Sequence, residues 1–197
     1  MLRWVTPNRG FKSHLHRIRS ERPHEASRLA GPLAEVREPR PGEAGVAITA
    51  VSIGRKHEKW VSDGIERYTQ RLRKPYDLTW KLLPHSAREH DVARDEESAR
   101  ILSGLKPADF VILLDERGTN VSSPMLAKKL QAQFDAGRGV VVIIGGAYGV
   151  NTELSRRADF VWSMSKLVFP HQLVRLILAE QIYRAQEISG GRPYHHQ

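Results

Sequence analysis

The end of the chain holds three side chains whose types could do chemistry together. Arg192, Tyr194 and His195 supply a cation, an aromatic ring that can stack, and an imidazole that titrates near neutral pH. This set could hold a flat ring and exchange a proton with it. A frayed terminus without a role is the alternative, because chain ends are commonly unstructured.

A second candidate site is the glycine-rich segment "IIGGAYG" at residues 143–149. It places Gly145, Gly146 and Gly149 where a buried strand is expected to end, so backbone amides could approach a ligand that a Cβ atom would keep away. The spacing is not the GxGxxG of a dinucleotide site, and the segment belongs to the fourth strand unit rather than the first. A plain turn and an adenosine site without a pyrophosphate cradle both remain open.

Two further segments carry polar side chains after predicted strands. "LLDERG" contains Asp115 and Glu116, which could be catalytic carboxylates, metal ligands or loop charges. Without a second acidic or histidine cluster we favour loop charges and predict no metal. "SMSKLVFPHQ" places two hydroxyls and a lysine before Pro170, which suits the first turn of a helix, and makes His171 a structural helix residue. An ordinary strand-to-helix connection is equally compatible.

Hydrophobic periodicity gives the elements that must position these residues. It predicts strands at 46–54, 76–84, 109–118, 139–149 and 158–165, and helices at 57–74, 96–106, 122–135 and 173–188. Ser123 is the candidate N-cap of the third helix, with Pro124 at its first position. The alternation predicts an α/β fold with a mostly parallel sheet and flanking helices. Ligands bind beyond the carboxyl ends of such strands, which points to the loops after Leu114, Gly145 and Trp162.

The last predicted helix is apolar on nearly every side between Leu173 and Ile188. A helix of this kind must be covered on more than one side, and a second subunit could supply the cover, so we expect a homodimer. Glu180 and Arg184 have the i, i+4 spacing, with the acid first, that favours an ion pair.

Composition restricts the class of protein. The 197 residues suffice for one domain with a sizeable core. There are 31 basic and 22 acidic residues, a formal charge of +9, which favours a polyanionic partner such as RNA or DNA. The lack of cysteine excludes disulfides, thiolate metal sites and thiol catalysis. No apolar run suits a membrane span or a secretory signal, so we expect a cytoplasmic protein.

Residues 1–45 differ from the rest of the chain. They contain five prolines, nine basic and five acidic residues and show no periodicity, so we predict a disordered basic extension. One hypothesis is that this extension is not natively translated, since valine, which stands at position 46, can be encoded by an alternative bacterial start codon. A basic RNA-binding arm and an organellar presequence are the rivals. Residues 46–197 form the single predicted domain, whose 22 basic and 17 acidic residues leave a charge of +5.

Three blocks together resemble a known family: "IIGGAYG", "WSMSKLVFPHQLVRLILAEQIYRA" and the terminal "PYHHQ". They resemble the RlmH family, small SPOUT-class methyltransferases that modify N3 of a pseudouridine in large-subunit (23S) ribosomal RNA. The resemblance covers essentially all of residues 46–197 and departs at His196 and Gln197, where the family often has a basic and then an acidic residue. It implies a homodimer, a trefoil knot in the C-terminal part, and S-adenosyl-L-methionine bound in that knot.

The resemblance also implies roles for individual residues. The expected cofactor contacts are Leu114, Gly145, Gly146, Met164, Ser165, Lys166, Leu167, Val168 and Phe169. An imide nitrogen such as N3 is protonated at neutral pH, so a base or nearby cations should speed transfer. We expect His195 to help remove the proton, Tyr194 to stack on or hydrogen-bond the base, and Arg184 to stabilise the developing anion. Arg175 and Arg192 are expected to contact RNA.

Two other classes would share part of this pattern. A non-catalytic basic RNA-binding module would have the charge and the tail, but would need neither the glycine loop nor the hydroxyl-lysine turn. A Rossmann-type oxidoreductase would have the alternating strands and helices, but needs a fingerprint after the first strand that "SIGRKHEKW" does not supply. Cofactor preference distinguishes all three classes.

Overall fold

The computed structural model describes residues 46–193, so the predicted extension at 1–45 and the tail residues Tyr194 and His195 lie outside the described residues. Strands and helices alternate along the chain. The strands are β1 (Ile48–Ile53), β2 (Leu78–Leu83), β3 (Phe110–Asn120), β4 (Val140–Ile144) and β5 (Phe160–Ser163). The helices are α1 (Lys59–Thr69), α2 (His90–Leu102), α3 (Ser123–Asp135), α4 (Thr152–Arg157) and α5 (His171–Ser189).

The five strands form one sheet in the order β2-β1-β4-β3-β5, and every pairing in it is parallel. The predicted α/β fold with a parallel sheet and flanking helices is therefore confirmed. Because all strands run the same way, their carboxyl ends lie along one edge, called here the carboxyl edge. Strand β4 is buried along its whole length, as expected for a strand with helices on both faces of the sheet.

Alternate residues of each strand enter two separate cores. On β4, Val140, Val142 and Ile144 pack with residues of α3 and α5 on one face of the sheet. Val141 and Ile143 pack on the opposite face with residues of α2 and α4. Helix α1 packs against α5 through a third, smaller cluster. The continuous apolar runs in the sequence thus reflect strands covered on both faces.

The structure corrects the start of the third helix. Ser122 rather than Ser123 is the N-cap residue, and its hydroxyl accepts a hydrogen bond from Met125 N–H at 3.4 Å. Pro124 consequently occupies the second helical position. The proline fits there because the first amides of a helix have no partner inside the helix.

Two other helices differ from the prediction. Helix α2 begins at His90 rather than at residue 96, because its first six residues bury only Ala93 and therefore give no apolar period. Helix α4 was not predicted, since six residues are too few to show a 3.6-residue repeat. Its start is fixed by Asn151, whose side chain accepts a hydrogen bond from Leu154 N–H at 3.0 Å.

Helix α5 is covered largely by its own chain. It lies between α1 and α3 and packs on the sheet, which buries Leu178, Ala179 and Ile182 completely. Its apolar character therefore does not by itself require a second subunit, although Leu173 and Ile177 remain half exposed. No helix within residues 46–193 combines the length and the apolar character needed to cross a membrane.

Strand β3 meets β5 twice. Ile112 to Leu114 pair with Phe160 to Trp162, and after four intervening residues Thr119 and Asn120 pair with Trp162 and Ser163. Between these contacts Gly118 lies against the β5 backbone, where an added Cβ would be 2.7 Å from the Val161 carbonyl oxygen. The last residues of β3 thus lie closely against β5. The trefoil knot implied by the family resemblance stays a prediction.

Candidate cofactor and substrate site at the carboxyl edge

Three predicted ligand loops meet at the carboxyl edge. Leu114 of β3 pairs with Ile144 of β4 on one side and with Trp162 of β5 on the other. Neighbouring strands in a sheet are about 4.8 Å apart, so Gly145 and Met164 follow strands that flank Leu114 directly. Residues far apart in sequence are therefore adjacent in space.

The glycine loop needs Gly146 for a steric reason. Gly146 accepts a hydrogen bond from Gly149 N–H at 2.9 Å, and Gly149 has a φ of +74°. A Cβ on Gly146 would overlap the Oε2 atom of Glu97, a carboxylate that is only 4% exposed. Glu97 also accepts a hydrogen bond from Ser86 N–H at 2.9 Å. The buried carboxylate thus packs directly against Gly146 of the glycine loop, a contact that no sequence pattern predicted.

Residues 164–169 form an irregular loop beside the glycine loop. The Ser163 hydroxyl donates to Ser165 O at 2.7 Å, and Leu167 N–H donates to the Ser165 hydroxyl at 2.9 Å. Within the described part of the chain, residues 165–169 make no main-chain to main-chain hydrogen bonds. Leu167 and Val168 are 70% and 63% exposed. Open main-chain groups beside exposed aliphatic side chains fit a largely apolar ligand with a few polar groups, such as a nucleoside.

Asp115, which lies in the middle of β3, belongs to an ion pair. The guanidinium of Arg117 donates two hydrogen bonds to its carboxylate, Nε to Oδ1 at 2.8 Å and Nη2 to Oδ2 at 2.6 Å. The hydrogen bond from Arg117 lowers the pKa of Asp115, although burial opposes the shift. The structure thus favours the loop interpretation. Among residues 46–193 no group of three or more acidic or histidine side chains could hold a metal ion.

A cleft of about 520 Å³ opens on the other side of the glycine loop, between the ends of β1 and β2 and the start of α5. We call it the β1 cleft. Its lining residues are Ile53, Gly54, Arg55, Lys56, His85, Ala147, His171, Gln172 and Arg175. Sequence reasoning missed Arg55, Lys56 and His85, although two consecutive cations directly after a parallel strand were a readable signal.

Arg175 forms the buried floor of the β1 cleft. It is 2% exposed, and its guanidinium donates to the Ser52 hydroxyl and to two main-chain carbonyls. The bond from Nη2 to Ile53 O measures 2.7 Å, and that from Nη1 to Lys56 O measures 2.9 Å. The side chain of Arg175 thus holds the loop after β1 to α5. Its expected contact with RNA stays a prediction.

Gly54 allows this close approach. Its φ is +121°, a conformation that side chains disfavour, and an added Cβ would lie 2.6 Å from Arg175 Nη2. Nearby, burial and then the charge of Arg175 lower the pKa of His57 to about 4. His57 is therefore neutral at pH 7, and its Nδ1 lies 3.5 Å from Arg175 Nη1.

His171 connects the β1 cleft with the glycine loop. Burial, followed by the charges of Arg175 and His85, lowers its pKa, whereas the neighbouring backbone of Gly145 opposes the shift. It is therefore neutral at pH 7. The prediction that His171 is structural fits this contact, which ties the first residue of α5 to a predicted cofactor residue.

The remaining predicted residues lie toward the end of α5. Arg184 forms the predicted pair with Glu180, with bonds of 3.0 and 2.6 Å to Oε1, so that prediction is confirmed. Arg192 Nη1 lies 3.4 Å from the carboxylate of Glu187. The roles expected of Arg184 and Arg192 stay predictions, and so do those of Tyr194 and His195 outside the described residues.

Comparison with known proteins gives a consistent result. Residues 46–195 match the family described as "Predicted SPOUT methyltransferase". The ribosomal RNA large subunit methyltransferase H of Dichelobacter nodosus is 39% identical over 152 residues, 75% of this chain and 97% of that protein. The protein of the same name from Desulfitobacterium hafniense strain DCB-2 is 39% identical over 156 residues, 75% of this chain and 98% of that protein.

One solved structure aligns more loosely. It is described as a probable methylase family protein from Haemophilus influenzae Rd KW20, and it aligns with a TM-score of 0.47 at 13% identity, over 76% of this chain and 70% of that chain. The family match and the curated relatives instead confirm the resemblance found in the sequence. The chain belongs to the SPOUT methyltransferase family, among the proteins named ribosomal RNA large subunit methyltransferase H.

Proposed function

We propose that this protein transfers a methyl group from S-adenosyl-L-methionine to N3 of a pseudouridine in large-subunit (23S) ribosomal RNA, acting on the ribosome in the cytoplasm. The observation that carries the proposal is the match along 97% of a relative named ribosomal RNA large subunit methyltransferase H. The residues expected to bind the cofactor also meet at one edge of the sheet. That convergence supports the same conclusion.

The carboxyl edge has the chemistry to hold the cofactor. Bound S-adenosyl-L-methionine would supply a methyl group already activated on a sulfonium, so the protein needs mainly to orient donor and acceptor. The open main-chain groups of residues 165–169 would bind the polar edge of the adenine, and Leu167 and Val168 would cover its ring. Gly145 and Gly146 would let the backbone approach the sugar, and His171 would hold that backbone in place.

The acceptor nitrogen must lose a proton as it is methylated. We assign His195 to take that proton and Tyr194 to orient the base by stacking or hydrogen bonding. Arg184 lies on α5 with its guanidinium paired to Glu180, which fixes its direction. A fixed cation of this kind could stabilise negative charge that develops on the pyrimidine ring. Arg192, which is exposed, would contact the RNA.

The length of α5 supports action as a homodimer. The helix begins at the glycine loop through His171, and near its end the Ser189 hydroxyl lies 2.7 Å from Tyr76 Oη, just before β2 begins. Nineteen helical residues span about 28 Å, whereas the six residues from Ser189 to His195 extend at most about 21 Å. His195 could not then reach the glycine loop of its own chain, so the tail would complete the pocket of a second copy.

The test is methyl transfer to the intact substrate. Purified protein is incubated with labelled S-adenosyl-L-methionine and ribosomes that lack the modification, and the product nucleoside is identified by mass spectrometry. We expect one methyl group on a large-subunit pseudouridine. We also expect His195→Ala to lower turnover at least tenfold with unchanged cofactor affinity, whereas His196→Ala serves as the adjacent control. Cofactor binding without transfer to any RNA would contradict the proposal, and no cofactor binding would favour a non-catalytic RNA-binding module.

A further inference from the structure

The β1 cleft contains positive charge that the proposed cofactor site does not use. Arg55 and Lys56 are exposed, and neither side chain has an ion-pair or hydrogen-bond partner among residues 46–193. Arg175 beneath them likewise has no carboxylate within ion-pair distance in that part of the chain. The buried carboxylate of Glu97 faces His85 at 3.8 Å, and the carboxylate of Glu58 is bonded to Trp60 Nε1. The cleft therefore has a strong positive field with little internal compensation.

The lining of this cleft also includes hydrogen-bond donors for which residues 46–193 supply no acceptor. Nη2 of Arg175 carries two N–H groups, and one of them, to Ile53 O, has an acceptor among the described residues. Helix α5 starts at the same place, and its first turn has no side-chain cap. Uncapped helix amides and a guanidinium are both donors suited to the oxygens of an anion.

We propose that the β1 cleft binds a phosphodiester group of the RNA strand close to the nucleotide that is methylated. This inference rests on the proposed function, and it adds a second contact point for the substrate within one subunit. Arg55 and Lys56 would bind the phosphate oxygens directly. Arg175 would supply charge from the floor of the cleft, and its bonds to Ile53 O and Lys56 O would hold the two exposed cations in position.

The order of the strands separates this site from the cofactor loops. The cofactor residues follow β4, β3 and β5, whereas the cleft lies beyond β4 at the ends of β1 and β2. Ala147, which directly follows the two loop glycines, lines the cleft. An RNA strand anchored in the cleft would therefore pass beside the glycine loop, and a base turned toward β3 would face the methyl donor. A polynucleotide satisfies this arrangement, whereas the carboxylate of the cofactor would have to cross the glycine loop to reach the cleft.

The experiment removes the charges of Arg55 and Lys56 and compares the result with the removal of two charges outside the cleft. The variant Arg55→Ala/Lys56→Ala leaves the main-chain carbonyl that Arg175 uses. The control Lys106→Ala/Arg156→Ala also removes one lysine and one arginine charge. Both side chains are exposed at the opposite edge of the sheet, one just before β3 and one near the end of α4. Three quantities are measured for each protein: the dissociation constant for unmodified large-subunit RNA at several salt concentrations, the KM for unmodified ribosomes, and the dissociation constant for S-adenosyl-L-methionine.

We expect the cleft variant to weaken RNA binding and raise KM about tenfold, because two charge-assisted contacts are lost. The slope of log affinity against log salt should decrease by roughly 1.4, the release expected for two phosphates of a single strand. Cofactor affinity and all properties of the control should stay within twofold of the wild type. An unchanged RNA affinity and salt slope would overturn the inference. A loss confined to cofactor affinity would overturn it as well, because the group bound in the β1 cleft would then belong to the cofactor.

The proposed function is judged separately, by the wild type. Wild-type protein that binds RNA but transfers no methyl group would contradict the proposed function, while the salt slope would still decide whether the cleft binds phosphate. Wild-type transfer together with an unaffected cleft variant would overturn the cleft proposal alone.

Discussion

Replacing Gly118 by alanine tests whether the last residues of β3 are held tightly against β5. The added Cβ would lie 2.7 Å from Val161 O, 2.8 Å from Val161 C and 2.9 Å from Ser163 N. All three are backbone atoms of β5, which cannot rotate away as the end of a side chain could. Overpacking of this kind costs typically 1–3 kcal/mol, and we expect about 2 kcal/mol because three contacts are strained at once.

The assay is urea unfolding followed by tryptophan fluorescence, since Trp162 is buried on the strand in question. With a urea dependence of about 2 kcal/mol per molar, the expected loss lowers the midpoint by about 1 M. Gly139→Ala is the matched control, because a Cβ there would meet only Asp109 Oδ1 at 3.6 Å and Ala47 O at 4.0 Å. A Gly118→Ala midpoint within 0.2 M of the wild type, roughly 0.4 kcal/mol at that dependence, would refute the close passage over β5.

Two further predictions concern the residues around the β1 cleft. Arg175→Met should destabilise the fold by about 3 kcal/mol, a fall in Tm of roughly 6–12 °C, because two carbonyls and the Ser52 hydroxyl lose a buried donor. The exposed control Arg156→Met should change Tm by under about 2 °C. Equal effects of the two substitutions would contradict the structural role of Arg175. The pKa of His57 is about 4 in the folded state and 6.5 in the unfolded state. Between these values the unfolded chain binds the proton more readily, so the free energy of unfolding decreases as the pH falls from 6.5 toward 4. His57→Gln should therefore reduce the loss of unfolding free energy over that window, measured by urea titration at several pH values, and a profile parallel to that of the wild type would disprove the assignment.

The architecture was predictable because its signals are local. The five strands are short apolar runs, and two of the three family blocks contain loops that the structure places at the carboxyl edge. The helix starts that were missed have weak signals: α2 begins in a polar stretch, and α4 is too short for a period. Ser122 and Ser123 are adjacent hydroxyls, and only the hydrogen bond to Met125 distinguishes the true cap.

The site was predictable only in part, because burial of charge does not appear in a sequence. The sequence does not show which groups surround Arg175, and the structure encloses it with Ser52, Gly54 and Lys56, more than a hundred residues earlier in the chain. Glu97 sits in a run of acids and reads as a solvated residue, whereas it lies under Gly146. Both positions depend on long-range packing, which periodicity and motif spacing do not encode.

His171 and Arg175 make the start of α5 a shared support for both halves of the site. His171 at the start of the helix lies beside the backbone of Gly145, and Arg175, one turn later, donates to Lys56 O in the loop that carries Arg55 and Lys56. A shift of this first turn would disturb the glycine loop and the cationic loop together, because each contacts the same rigid helix. The distance between the proposed methyl donor and the proposed phosphate contact is thereby fixed within one subunit. The far end of α5 would set the reach of the tail into a second subunit, so one helix would align the donor, the RNA strand and the proton acceptor.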